Sequence, residues 1–295
     1  MKMTQIMTVC LVLLSGCSSV INPIESSPAT VGYNTQVSQE LCELPPPKEK
    51  IIISVYKFRD QTGQYKPGGT VMTYSTAVTQ GATSLLMKAL QDAGCGTWFT
   101  VVEREMLSDL VNERKLIYQT REQYKATNLP PIPPLLYSPL ILEGGIIAYE
   151  SNLLTGGAGA RYLGIGGDTE FQRDAVTVYL RAVAVQNGEV LKNITTRKTI
   201  FSLKLDLSTF KYLAFKSLLE AEVGVTSNEP PQMAVLEAIE KSVYGLIVEG
   251  VISGLWSFKE PDKAKEIIAT YVKNSETKVS PKIINLAPDS NKTIK

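Results

Sequence analysis

The stretch Leu203-Lys-Leu-Asp-Leu-Ser-Thr-Phe-Lys-Tyr-Leu-Ala-Phe-Lys-Ser-Leu-Leu-Glu-Ala-Glu-Val-Gly-Val225 decides how this chain is read. Its odd positions are mostly apolar, among them Leu203, Leu205, Leu207, Leu213, Phe215 and Leu219, whereas Lys204, Asp206, Ser208, Lys216, Glu220 and Glu222 hold even ones. A period of two belongs to extended chain with one oily and one wet face. Strands of globular domains rarely exceed about ten residues, and this alternation runs roughly twice as far. Folded once at Phe210-Lys211-Tyr212, it becomes a hairpin whose arms have the length of membrane-spanning β-strands. The listed leucines and Phe215 then face lipid, with Leu205 and Phe215 deep in the bilayer, and the five charged residues face an aqueous lumen. A long hairpin lying on a soluble domain with its charged face solvated is the alternative, and alternation alone leaves it open.

A second candidate span runs from Leu153 to Arg173, with its break near Arg161 to Gly164 and with Asp168 and Glu170 turned to the lumen. Its small residues weaken the alternation, but its length suits one passage up and one down. Four strands cannot close a barrel, and open sheet edges in lipid leave backbone groups unpaired at several kcal/mol each. If both hairpins insert, the protein has to oligomerise. The lumen set holds two basic and five acidic residues, so a cation-preferring lumen is expected.

The N-terminal residues point to a compartment. Lys2 precedes an apolar run from Ile6 to Leu14, which ends in Leu14-Ser15-Gly16-Cys17. This is the pattern of a bacterial lipoprotein signal over residues 1–16, with Cys17 as the acylated residue. Ser18 is not the aspartate that retains lipoproteins at the inner membrane, so lipid anchoring in the outer membrane, with the folded domain in the periplasm, is expected. Residues 17–50, rich in Ser, Pro, Thr and Asn, read as a lipidated tether. Cys42 and Cys95 survive signal cleavage and could pair in an oxidising compartment, a matter that spacing cannot settle.

The body, residues 51–273, reads as an α+β domain carrying the two hairpins, followed by a polar tail, 274–295. Ile51 to Tyr56 predicts a strand buried on both faces. A polar loop from Lys57 to Ser75 leads to a helix from about Thr79 to Ala93. Trp98 to Val102 predicts a strand, and Glu103 to Tyr118 a helix with Met106, Leu107, Leu110 and Val111 inward. Leu140 to Ser151 is a third strand, and two more flank Asn187-Gly188, a two-residue hairpin signal. Met233 to Leu255 has helical spacing; Glu237, Glu240, Lys241 and Glu249 mark it as a helix packed on a sheet rather than a membrane span. A last amphipathic helix covers Pro261 to Lys273.

Enzymatic chemistry has little to work with here. Histidine is absent from the 295 residues, which excludes Ser-His, Cys-His and His-metal arrangements. Gly157-Ala-Gly159 and Gly159 to Gly164 fail both nucleotide-loop templates. A formal charge of +1 with no basic face argues against nucleic acid. No enzyme activity, cofactor or metal is expected.

Several stretches together resemble the CsgG family, the outer-membrane secretion channels for curli amyloid subunits. They are Ser54-Val-Tyr56, Thr62-Gly-Gln-Tyr-Lys-Pro67, Ser75-Thr-Ala-Val78, Asn112-Glu-Arg-Lys115, Tyr149-Glu-Ser-Asn152, Gly159-Ala-Arg-Tyr-Leu-Gly-Ile-Gly166 and Glu222-Val-Gly-Val-Thr-Ser-Asn-Glu-Pro230. The resemblance spans Lys50 to about Phe258. It implies a periplasmic α/β domain with two transmembrane β-hairpins per protomer, joined in one large oligomeric β-barrel. About nine protomers and about 36 strands are implied, the latter being the strand number of the largest barrel known rather than a quantity derived from this chain. It further implies diffusive, ATP-independent export of unfolded secreted subunits. Outer-membrane lipids, a periplasmic capping protein and a surface nucleation protein would be the other partners.

The loop after the first strand forms the orifice in this family. Here Gly68 follows Lys66-Pro67 where a Tyr is typical, and Thr73-Tyr74 stands where Asn-Phe would. The resemblance therefore implies a constriction at Tyr74 and Thr73, with the first aromatic ring replaced by Gly68. Two other readings remain from the sequence: a periplasmic scaffold lipoprotein without a pore, and a ring-shaped anchor for a surface adhesin or holdfast.

Overall fold

A computed structural model describes residues 31, 35–64, 78–125, 128–154, 171–204, 210–213 and 230–274. Residues 1–34 form a unit of their own, of which Val31 alone is described, and it is exposed. The second unit is built on one six-stranded sheet in the order β2-β1-β3-β4-β5-β6. Its strands are β1 (Ile51–Asp60), β2 (Phe99–Glu103), β3 (Leu140–Leu154), β4 (Phe171–Ala184), β5 (Val190–Lys204) and β6 (Phe210–Leu213). β1 pairs in parallel with β2 and β3, and the remaining pairs are antiparallel. The helices are α1 (Gln36–Cys42), α2 (Ala82–Asp92), α3 (Leu107–Gln123), α4 (Pro230–Ile252) and α5 (Pro261–Asn274).

One face of the sheet is the core. Ile53, Val55 and Phe58 of β1, Leu142 and Ile146 of β3, and Val176, Val178 and Leu180 of β4 are buried there. They meet Leu86 and Leu90 of α2 and Val235, Ile239, Val243 and Ile247 of α4 in a single cluster. A register shift between Val55 and Phe58 returns the phenylalanine to the inner face; without it Phe58 would point outward. Burial on both faces of β1 holds only near Ser54, because Tyr56 is 40% exposed. Gly144 makes room for this bulge: a Cβ there would sit 2.3 Å from the Tyr179 carbonyl oxygen and 2.6 Å from the Phe58 ring. Gly144→Ala is expected to cost about 2–4 kcal/mol, read as a lowered midpoint in urea; an unchanged midpoint would show that the bulge relaxes freely.

Helix α4 explains its own charges. Glu237 pairs with Lys198 of β5, Glu240 accepts from the Thr35 hydroxyl at the start of α1, Lys241 pairs with Glu40 of α1 at 2.8 Å, and Glu249 accepts from Tyr271 of α5 at 2.9 Å. The residues that interrupt the apolar run dock three other elements: Glu237 holds β5, Glu240 and Lys241 hold α1, and Glu249 holds α5. No helix among the described residues is long and apolar enough to cross a membrane.

Glu240 is 5% exposed, and burial raises its carboxyl from 4.5 to about 7, with Glu237 and Asp92 adding to the rise and Thr35 and Lys88 opposing it. Below about pH 4.5 both folded and unfolded chains hold the proton. Between 4.5 and 7 the folded chain alone retains it, so raising the pH through this window lowers stability, and the full cost is felt above 7. Glu240→Gln is expected to gain about 1–3 kcal/mol at pH 8 and little at pH 4.5. Thermal melts at both pH values check this, and an equal shift at both would contradict it.

Four expectations need correction. The tether does not extend to Lys50: α1 packs Leu41 into the core and Leu44 is 4% exposed, a seven-residue helix being too short to reveal an apolar period. The connection at Asn187-Gly188 is longer than two residues, running from Val185 to Glu189, because Ala184 N bonds to Glu189 O and Gly188 N to Ala184 O, both at 2.9 Å. Met106 is 58% exposed and α3 has no buried residue, so its apolar side is not turned into the core. Finally, Phe210, Lys211 and Tyr212 are strand and not a turn. They pair with Lys204, Leu203 and Ser202, so the chain reverses between Lys204 and Phe210. Aromatic residues favour pleated strand, whereas Asp206, Ser208 and Thr209 lie in the intervening stretch and are better suited to reversal.

Candidate functional site

Two features of the sheet bear on the predicted pore. The first is the frame of the loop between β1 and α2. The Asp60 carboxylate accepts from Thr62 N at 2.9 Å and Thr62 Oγ1 at 2.7 Å through one oxygen, and from Gln80 Nε2 at 3.4 Å through the other. Gln61 N donates to Ile146 O at 2.9 Å, and Gln61 Nε2 to the Tyr179 hydroxyl at 3.1 Å. Thr83 Oγ1 accepts from Phe58 N at 3.1 Å and lies 3.1 Å from Phe58 O. Both roots of the loop are thereby held together on the rim of β1.

The second feature is the level at which four strands are aligned at one end of the sheet. Leu154 pairs with Phe171, Phe171 with Leu203, and Leu203 with Lys211. β3, β4, β5 and β6 thus reach a common line at one end of the sheet. Just short of it, Tyr149 donates to Asp174 Oδ1 at 3.1 Å across β3 and β4, and Asp174 is 0% exposed. Burial first, then the Asp174 charge, pushes the Tyr149 phenol well above its ordinary value. A donor held neutral beside a buried carboxylate ties the two strands together where they leave the core.

The predicted residues are distributed unevenly over these features. Leu203 and Lys204 end β5, and Leu213 ends β6. Of the other residues expected to matter, Cys17, Gly68, Thr73, Tyr74, Asp168, Glu170, Leu205, Asp206, Leu207, Phe215, Lys216, Leu219, Glu220 and Glu222 lie outside the described residues. Sequence reasoning missed the Asp60 clamp, although Asp60-Gln-Thr62 at the end of a strand is an Asx-turn signal. It also missed the Tyr149–Asp174 pair, for which no local signal exists.

Away from the sheet, α3 and the segment after it form an arm. Arg121, Arg114 and Arg104 donate to the carbonyl oxygens of Pro130, Pro133 and Leu136 at 2.7, 2.7 and 2.8 Å. These bonds strap the proline-rich return alongside the helix. Tyr118, Tyr124, Leu136 and Tyr137 stay exposed on it.

Residues 34–276 match the family described as curli production assembly/transport component CsgG. The curli production assembly/transport component CsgG of Salmonella typhimurium is 41% identical over 89% of this chain and 94% of its own length. The protein of the same description from Escherichia coli K12 gives the same identity and coverage. Among solved structures, a PelC dodecamer from Paraburkholderia phytofirmans covers 69% of this chain and 93% of its own at 12% identity, with a TM-score of 0.29, too slight a likeness to carry an argument.

Proposed function

This chain belongs to the CsgG family of curli production assembly/transport components, and we propose that it is one protomer of an oligomeric outer-membrane pore that passes unfolded curli-type subunits by diffusion. The family supports a role in curli secretion and a place in the cell envelope. What supports the pore is the common line of Leu154, Phe171, Leu203 and Lys211, which sets side by side, at one end of the sheet, the strands next to both candidate hairpins.

Continuing the register of β3 and β4 outward, we take the midpoint of the first hairpin to fall between Tyr162 and Leu163, inside the stretch Arg161 to Gly164 read from sequence. Pairing of odd with odd positions, Leu203 with Lys211 and Phe201 with Leu213, is the register that keeps one apolar stripe on one face. A four-stranded wall has two open edges, which neighbouring protomers close in a ring of about nine. The arm of α3, with its exposed tyrosines and leucine, is the surface a neighbour covers. Acylated Cys17 anchors each protomer, and the folded domains lie in the periplasm beneath the barrel.

The loop rooted at Asp60 and Gln80 projects into the axis, with Tyr74 and Thr73 as the constriction and Gly68 leaving its first level open. Such an orifice uses no ATP and no catalytic group. Its aromatic ring offers weak, sequence-tolerant contacts to a sliding chain, and its diameter rejects folded protein. A capping protein below and a nucleation protein outside complete the assembly. Planar-bilayer recording of the detergent-extracted protein tests the reading: large, stable, cation-preferring channels are expected. A well-folded monomer that forms none would leave a scaffold lipoprotein in its place.

A further inference from the structure

Helix α1 is seven residues long, and Leu41 is its buried residue. Such a helix does not hold in water unaided, yet it is fixed to the body at both ends. At its start, Thr35 closes a capping box with Ser38 and donates to Glu240, while Glu40 pairs with Lys241 at 2.8 Å. At its far end, Gly94 N donates to Leu41 O at 2.9 Å, and Cys42 is joined to Cys95 by a disulfide with Cα atoms 4.5 Å apart. Beyond it, Lys48 N donates to Ser257 O and Lys259 N to Pro46 O, at 2.8 and 2.9 Å.

The receiving turn is shaped for this contact. Gly94, Cys95 and Gly96 all have left-handed backbone, with φ of 56, 50 and 84°. A Cβ at Gly94 would meet Trp98 Cδ1 at 2.6 Å and the Leu44 carbonyl at 3.1 Å. Cys95 is exposed and Cys42 half-buried, so a thiolate from outside reaches the bridge. No sheet pairing passes through α1; its bonds go to the α2–β2 turn and to α4.

We propose that Cys42–Cys95 is an exchangeable lock that clamps α1 to the folded body, closed by a disulfide-bearing oxidoreductase of the cell envelope and opened by a dithiol without loss of the sheet. In closing, the Cys95 thiolate attacks the oxidant's disulfide, forming a mixed disulfide and expelling one oxidant thiolate. The Cys42 thiolate then attacks Cys95 Sγ, forming the bridge and expelling the second. Two electrons pass from the cysteine pair to the oxidant, which leaves as a dithiol, and the protons of the two cysteine thiols end on it by way of solvent. Opening with dithiothreitol reverses the balance, the reductant leaving as its cyclic disulfide. The lock sets where the chain joins the folded body: at Thr35 when closed, near Pro45 when open, since Pro46 and Lys48 keep their bonds to Lys259 and Ser257.

The test uses the full chain, purified without reductant. Maleimide-polyethylene glycol labelling after denaturation counts thiols, and hydrogen exchange with mass spectrometry follows each segment under native conditions. Dithiothreitol is expected to add two labels and to speed exchange in residues 36–44 at least about tenfold, with β3, β4 and β5 unchanged. The double variant Cys42→Ser with Cys95→Ser should exchange like the reduced protein. Free thiols at both positions before reduction, unchanged exchange in α1, or loss of protection in β4 and β5 together with α1 would each overturn the lock. None of these readouts depends on channel formation, so a failed lock and a failed pore are told apart.

Discussion

Leu205→Arg is expected to impair membrane assembly in every protomer of a ring, whereas Lys204→Glu is expected to assemble normally. Alternation decides the contrast: Leu205 is read on the lipid face with the other odd positions, and Lys204 on the lumen side. An arginine on the lipid face costs about 2–4 kcal/mol at the midplane and about 0–1 near the interface. Repeated in every protomer, that cost is multiplied by the subunit number. Extraction with mild detergent followed by sizing of the oligomer separates the two variants, and equal loss from both would undo the face assignment.

Tyr74→Ala is expected to widen the channel, raising single-channel conductance roughly twofold or more while leaving assembly intact. Removing one aromatic ring per protomer enlarges the opening all around the axis, and ionic current follows its cross-section. The size of the effect depends on the loop being held at its base. Asp60→Ala frees Thr62 and Gln80 together, so it should give noisy, variable conductance in place of a uniform increase. Thr73→Ala removes a smaller, polar group and should change the current less. Wild-type conductance in Tyr74→Ala channels would place the constriction elsewhere, for instance at the level of Gly68.

Much of the fold follows from spacing along the chain. Val176, Val178 and Leu180 alternate with Thr177 and Tyr179, a period-two pattern that spacing alone reports, and the three are fully buried in the cluster with α4. The helical period from Met233 to Leu255 appears as α4, and that of Pro261 to Lys273 as α5. Patterns of this kind depend on neighbours two to four residues away, so they are present before any tertiary contact forms. The frame of the candidate site was far less legible. Asp60 meets Gln80, Gln61 meets Tyr179, and Tyr149 meets Asp174, and no periodicity reports a partner that far along the chain.

The sequence by itself determined the mixed α+β character and the family, and it offered the compartment signal and the two candidate hairpins as expectations. Tertiary structure alone decided the rest. The register of β5 with β6 moved the reversal from Phe210–Tyr212 to the residues before it, because pairing depends on the partner strand as well as on local alternation. α1 became part of the body because Cys95, Glu240 and Lys241 hold a helix too short to declare itself. The apolar side of α3 stayed uncovered by the core because an amphipathic pattern records that a face seeks burial, not which surface supplies it.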